Sequence, residues 1–451
     1  MEFKRTHKGA RSFFDINYQH AADTDYECDN AWINGIRKNS QDIFFGEGYP
    51  NRKNELWKYT SLRKVSETSF TYGGSYNEDS VRQQISKIAR LSNSLRVVFV
   101  NGQYQKIFSD TISDLKDGVS LSLLSKVLKK EPDSLRSMFG VIADPADSFT
   151  YAMNTSFVSD GLCLSVAKGV NFNTVLHVIS IGSVGSDSTS FHPRLEILLE
   201  EGAKATILET HCGGSDDIYM SNSLSEIKLC ENATLDHYTT VIESANATHI
   251  GGAAVFVGKN SFYNSFIFLM GGGLVRREVN VRLESSDART NIDGIYCIAR
   301  ESHSDIVSEV KHIGVDTVSK QDIRGVLGGK SHGVFQGNIY VDASAQGSDG
   351  DLLHKALFLN RGPEVDVKPQ LEIFADDVKC SHGATTGELD SKQLFYLLSR
   401  GIDEGTARSL LISGFLNDVA LHIENAEVCS LILELISQWL HSEVNLKEVI
   451  L

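Results

Sequence analysis

The chain has 451 residues, 41% apolar and 22% charged, which allows a sizeable buried core and excludes a disordered or membrane-spanning class. A formal charge of −15 works against a phosphate backbone as partner, because nucleic-acid affinity is carried largely by clustered Lys and Arg. Seven scattered cysteines without a Cys-x-x-Cys pair make neither a disulfide framework nor a closed zinc site.

From the N-terminus, Met1 to His20 mix basic residues with Glu2 and Asp15 and lack the apolar stretch and small-residue cleavage site of a secretory leader. That points to the cytosol, a bacterial one in preference to an organelle. Residues 1–145 read as a mixed, mostly helical region. Val81, Ile85, Ile88 and Leu91 recur at helical spacing. A second helix holding Leu121, Leu124, Val127 and Leu128 is expected to stop at Glu131-Pro132, since proline disfavours helix in the residue before it.

From 146 to 375 the pattern changes to short runs of Val, Ile, Leu, Phe and Thr broken by Gly, Asn, Asp and Ser, read as strands from about Tyr151 to Phe374. Val279, Val281 and Leu283 alternate with polar residues, as do Leu162, Leu164 and Val166. A longer rhythm sets a small residue after a turn former at Gly202-Ala203, Asn232-Ala233, Asn260-Ser261, Asp287-Ala288 and Asp316-Thr317, with spacings of 30, 28, 27 and 29. Stacked coils of a β-solenoid have such a period, and roughly eight coils at about 4.8 Å each would make a rod on the order of 40 Å long. A large antiparallel sandwich also gives many short strands, and periodicity alone leaves the two about even.

Residues 376–451 form a signature segment followed by helices. The last helix carries Val428, Leu431, Ile432, Leu435, Ile436 and Trp439 in one stripe, read mainly as packing against neighbouring helices and secondarily as a partner-docking face.

Most candidate chemistry fails on spacing. Gly325 to Ser331 resembles a phosphate-binding loop but is one residue short and is read as a turn. Gly271-Gly-Gly273 lacks the dinucleotide fingerprint and is read as a bend. His211 and Cys212 would face opposite ways in a strand. Asp349, Asp351, Asp376 and Asp377 keep open a carbohydrate-active β-solenoid with paired carboxylates, although solvated turn positions explain each as well. In Cys380-Ser-His382, an extended backbone puts both side chains on one face, about 6.6 Å apart along the strand, where both could lean toward one soft metal ion or a partner surface that completes the site; on the residues alone a buried cysteine and a hydrogen-bonded histidine is the favoured reading.

The run Pro369 to Asp390, containing Asp376-Asp-Val-Lys-Cys-Ser-His-Gly-Ala-Thr-Thr-Gly-Glu-Leu-Asp390, resembles the C-terminal signature of the SufB/SufD family of iron-sulfur cluster assembly scaffolds. Gln393 to Ile402, Glu364-Val-Asp366, Ala407 to Phe415 and Glu55-Leu-Trp-Lys-Tyr-Thr60 fit it too. Gln346 to Phe358 follows the family's usual run only loosely. The Cys-Ser-His-Gly-Ala-Thr form is similar to the SufD branch. The resemblance implies a mainly β protein with helical ends and a right-handed parallel β-helix core. It implies a non-enzymatic scaffold paired with a SufB-like paralogue, with a SufC-type ATPase on the C-terminal helices, and leaves a homodimer open for the chain alone. It also implies that Cys380 and His382 lie near the junction with the paralogue. There iron or a nascent cluster is held transiently and shared with the partner, His382 being the stronger candidate of the two, while the isolated chain binds no cofactor stably.

Overall fold

A computed structural model describes residues 30–443 apart from 114, 186 and 187; the reading of Met1 to His20 lies outside those residues. Between Gly161–Val166 and Lys379–Glu388 the chain alternates between two sheets, placing eight main strands in each. Every neighbouring pair in this series is parallel and nearly all are in strict register, as in Arg276↔Asp305 and Asp305↔Val334. The core is therefore a β-solenoid of eight coils, and the antiparallel sandwich is ruled out. Inward positions of both sheets supply one continuous apolar column, from Leu164 and Ile197 to Ile339 and Leu352.

The rhythm of turn formers is the physical record of one solenoid corner. Gly202, Asn232, Asn260, Asp287 and Asp316 have φ of +68°, +60°, +51°, +61° and +56°. Glycine, asparagine and aspartate enter that left-handed region most readily. The N–H of each bonds to the next coil, as from Asn232 to Lys259 O and from Asp287 to Val315 O. The residue after each must be small because it turns into the core: Ala203, Ala233 and Ala288 are fully buried.

The first coil is capped. Ser94–Val100 joins one sheet in parallel and Val119–Leu123 the other in antiparallel fashion, so Leu95, Val97, Phe99, Leu121 and Leu123 close the column. Here the expected helix starting at Leu121 is corrected. Val-Ser-Leu-Ser-Leu alternates with period two and pairs as a strand, and the helix begins only at Leu124, ending at Lys130 before Pro132. The expected helix around Val81 spans Glu78–Lys87, leaving Ile88 and Leu91 beyond its end. Strands do not start at Tyr151 either. Phe149–Phe157 is a helix, capped by the Ser148 hydroxyl and buried nearly all round, which erases the amphipathic pattern.

Glu55 to Thr60 clamps the N-terminal region along the outer wall of one sheet. Trp57 lies over the Arg276 guanidinium at 3.9 Å, the Thr60 hydroxyl donates to Asp305 Oδ2 at 2.5 Å, and Glu55 pairs with Lys368 on the last coil at 2.6 Å. On the other sheet's outer wall lie the helices Glu404–Ala420 and Ala426–Glu443. Val428, Ile432, Ile436 and Trp439 pack with Leu208, Phe266, Phe268 and Ile295, so much of the final helix's stripe meets the solenoid wall as well as a helix. No helix among the described residues is long and apolar enough to cross a membrane.

Candidate functional site: the open end of the solenoid

The eighth coil, Glu364–Ile373 and Lys379–Glu388, pairs on one side only, with His332–Val341 and Asp349–Phe358. Half of the backbone N–H and C=O groups of these two edge strands therefore face away from the solenoid. The inward positions change character at this coil. Phe335, Ile339 and Leu352 are completely buried, whereas Val367, Leu371 and Cys380 stacked beyond are only partly covered. Phe374, at the turn between the strands, is 61% exposed. An apolar column that ends without a cap, flanked by two free strand edges, is a surface prepared for further β-stacking.

Cys380 and His382 sit on this end. They are in register with Gly350 and Leu352, inward positions of the preceding coil. The Cys380 thiol lies over Gly350, 3.5 Å from where a Cβ would stand, and is half-buried. His382 is exposed above the buried Leu352. Burial raises the Cys380 thiol from its ordinary value, a hydrogen bond with the Gly350 backbone opposes this, and nearby Asp349 adds to the rise. Among the described residues no three His, Cys, Asp or Glu side chains come together to hold a metal.

The other candidates disperse. Gly325 lies within Val318–Leu327 and a strand follows at His332, so no helix receives a phosphate. Gly325 is glycine because the Tyr296 ring occupies the space a Cβ would fill, its hydroxyl 2.9 Å from His354 Nε2. Gly271 and Gly272, at φ +100° and +83°, form the expected bend. His211 faces inward to Glu209 at 3.1 Å while Cys212 packs outward beside Val81. Asp349, Asp351, Asp376 and Asp377 are all exposed, Asp351 accepting from Ser381.

Two features escape a reading of the sequence. Inside the solenoid, Glu209 accepts from His237 Nε2 at 2.6 Å and lies 3.5 Å from Arg277; these groups hold its carboxyl well below the usual range despite burial. Only the strand register could bring them together. The helix Ser391–Ser399 buries no side chain completely and exposes Phe395 by 71% and Tyr396 by 57%. Its aromatic pair was visible in the sequence, but its exposure depends on the neighbouring helices being spent on the solenoid wall.

Two family descriptions match the chain. "SUF system FeS cluster assembly, SufBD core domain" covers residues 182–415, and "SufBD protein N-terminal region" covers residues 9–178. The Escherichia coli (strain K12) protein named "Iron-sulfur cluster assembly protein SufD" is 30% identical over 370 residues, 82% of this chain and 84% of its own length. An "Iron-sulfur cluster assembly SufBD family protein" of Synechocystis sp. is 26% identical over 85% of this chain and 86% of its own. "Protein ABCI7, chloroplastic" of Arabidopsis thaliana is 29% identical over 87% and 83%.

Proposed function

The chain belongs to the SufBD family of iron-sulfur cluster assembly proteins, and from that premise we propose how it serves as a scaffold subunit: its open solenoid end abuts a SufB-like paralogue. The uncapped eighth coil carries this reading. A second solenoid with a matching end would pair the free edges of Glu364–Ile373 and Lys379–Glu388 and cover Val367, Leu371 and Phe374.

At that junction His382 and Cys380 supply an imidazole and a thiol to iron or a forming cluster as cargo, with the paralogue completing the coordination. A neutral imidazole and a thiolate suit iron and iron-sulfur chemistry. The exposed face of Ser391–Ser399, with Phe395 and Tyr396, receives a SufC-type ATPase; large aromatics at the centre of an exposed patch are the residues that most often anchor an interface. The chain acts in the cytosol, transmits the ATPase's movement to the junction, and performs no catalysis of its own.

Co-expression with a SufB-like and a SufC-type protein tests the assembly. The chain co-purifies with both if the reading holds, and failure to retain either removes its basis. In the assembled complex His382→Ala lowers iron or cluster content while subunit stoichiometry is kept; unchanged content would remove the role of His382.

A further inference from the structure

The two free edges of the open end differ by one residue. Of the chain's six prolines, only Pro369 lies inside a strand among the described residues, and that strand, Glu364–Ile373, is the last of its sheet. Strand parity fixes which way its missing N–H would point. The Glu364 N–H donates to Ser331 O and the Phe374 N–H to Val341 O, both at 2.9 Å, with unbroken register between them, so the even-numbered amides face the solenoid. The odd-numbered amides of Val365, Val367, Leu371 and Ile373 face outward, and at Pro369 the outward donor is absent. A proline one place earlier or later would remove a hydrogen bond to the seventh coil; at 369 it removes none from the free chain.

The edge beside it carries no such gap. The Lys379 N–H donates to Ser348 O at 2.9 Å, again in unbroken register, so the amides of Cys380, His382, Ala384, Thr386 and Glu388 all face outward. The inward side chains divide the other way. Val365, Val367 and Leu371 on the first strand extend the apolar column, whereas Cys380, His382 and Ala384 on the second are small or polar. Proline on an exposed edge also blunts unwanted pairing, but protection alone would not leave the five donors of the second strand open.

We infer that the partner's backbone ladder runs unbroken along Lys379–Glu388 and is interrupted at Pro369 on Glu364–Ile373, so that the first seam sets the register of the junction while the second contributes apolar packing. This rests on the end-on reading above and adds which strand does the aligning. Ladder hydrogen bonds are directional, and a one-residue slip would turn every paired side chain to the other face. Apolar contact is non-directional and tolerates small shifts. Cys380 and His382 therefore lie on the seam that fixes their position against the partner, and Pro369 keeps the other edge from imposing a competing register.

Amide exchange resolved to single residues by electron-transfer fragmentation, in the full chain alone and in the complex with its SufB-like and SufC-type partners, decides the matter. On assembly the amides of His382, Ala384 and Thr386 are expected to gain at least about tenfold more protection than those of Val367 and Leu371. Pro369→Ala restores the missing donor and brings Val367 and Leu371 to within about threefold of Ala384, without weakening the complex. Ala384→Pro places the same gap in the other edge, where Gly383 before it eases the fit, and raises Kd for the SufB-like partner at least about tenfold while the free chain keeps its thermal midpoint. Should Ala384→Pro lower that midpoint, the exchange pattern of Pro369→Ala is read alone by the same criteria. Equal gains on both strands in the unsubstituted complex, no rise at Val367 and Leu371 in Pro369→Ala, or an unchanged Kd in Ala384→Pro would each overturn the inference. Absence of any gain at all five amides would instead overturn the end-on reading, and this inference with it.

Discussion

Substituting Val367 by aspartate puts a charge into the uncapped end. Val367 stands over the fully buried Phe335 and is itself only partly covered, so its remaining apolar surface reaches water in the free chain. Covering the rest of a valine on docking contributes about 1 kcal/mol, and enclosing an unpaired carboxylate costs about 3 kcal/mol more. Together these amount to about 4 kcal/mol, or roughly a thousandfold in Kd. Biolayer interferometry against an immobilised SufB-like partner reads this directly. The free variant keeps its thermal midpoint within a few degrees, because at the open end the carboxylate stays hydrated. Lys379→Ala, on the opposite side of the adjacent edge strand, is the control and leaves Kd within about threefold. Equal losses from the two substitutions, or none from Val367→Asp, would refute the reasoning.

Three other outcomes are expected. Phe395→Glu weakens binding of the SufC-type subunit by at least about 2 kcal/mol in pull-down titrations without lowering the thermal midpoint, since that ring is exposed in the chain alone. Asp287→Val destabilises by about 1–2 kcal/mol in urea unfolding, because a β-branched residue strains at φ +61°, whereas Asp287→Gly is close to neutral. Acid weakens the fold through buried neutral histidines: burial pushes His192, His249, His303, His312 and His354 down to about 4 and His177 to about 3. The unfolded chain binds protons near pH 6.5 that the native chain refuses, so this stability is complete above 6.5 and is lost as pH falls toward 4. Urea midpoints measured from pH 7 to pH 4.5 check this; a midpoint constant across that range would contradict it.

What could be read from the sequence was local. The corner rhythm survives because positive φ restricts residue choice at one position at a time, as Asn260 and Asp316 show. Solenoid and sandwich stayed balanced because the same alternating strand, Val279 to Leu283, serves either; only its parallel partners on both sides decide. Phe149–Phe157 hid its helical character by being buried nearly all round, and Leu121 belongs to a strand because of a distant antiparallel partner, Leu164. At the site, the shared face of Cys380 and His382 follows from strand parity, which the sequence carries. That these two lie on an open end does not, since openness is a property of the missing ninth coil. Likewise Glu55 and Thr60 were visible as a motif, but their role in clamping emerges only from contacts with Lys368 and Asp305.

Amide hydrogen exchange of residues 364–388, in the free chain and in complex with the SufB-like partner, tests the central claim most directly. Free, these edge strands expose half their N–H groups and exchange quickly; in the complex, protection across both strands is predicted to rise by at least about tenfold. Protection that appeared elsewhere on the chain, with 364–388 unchanged, would contradict an end-on assembly of the scaffold.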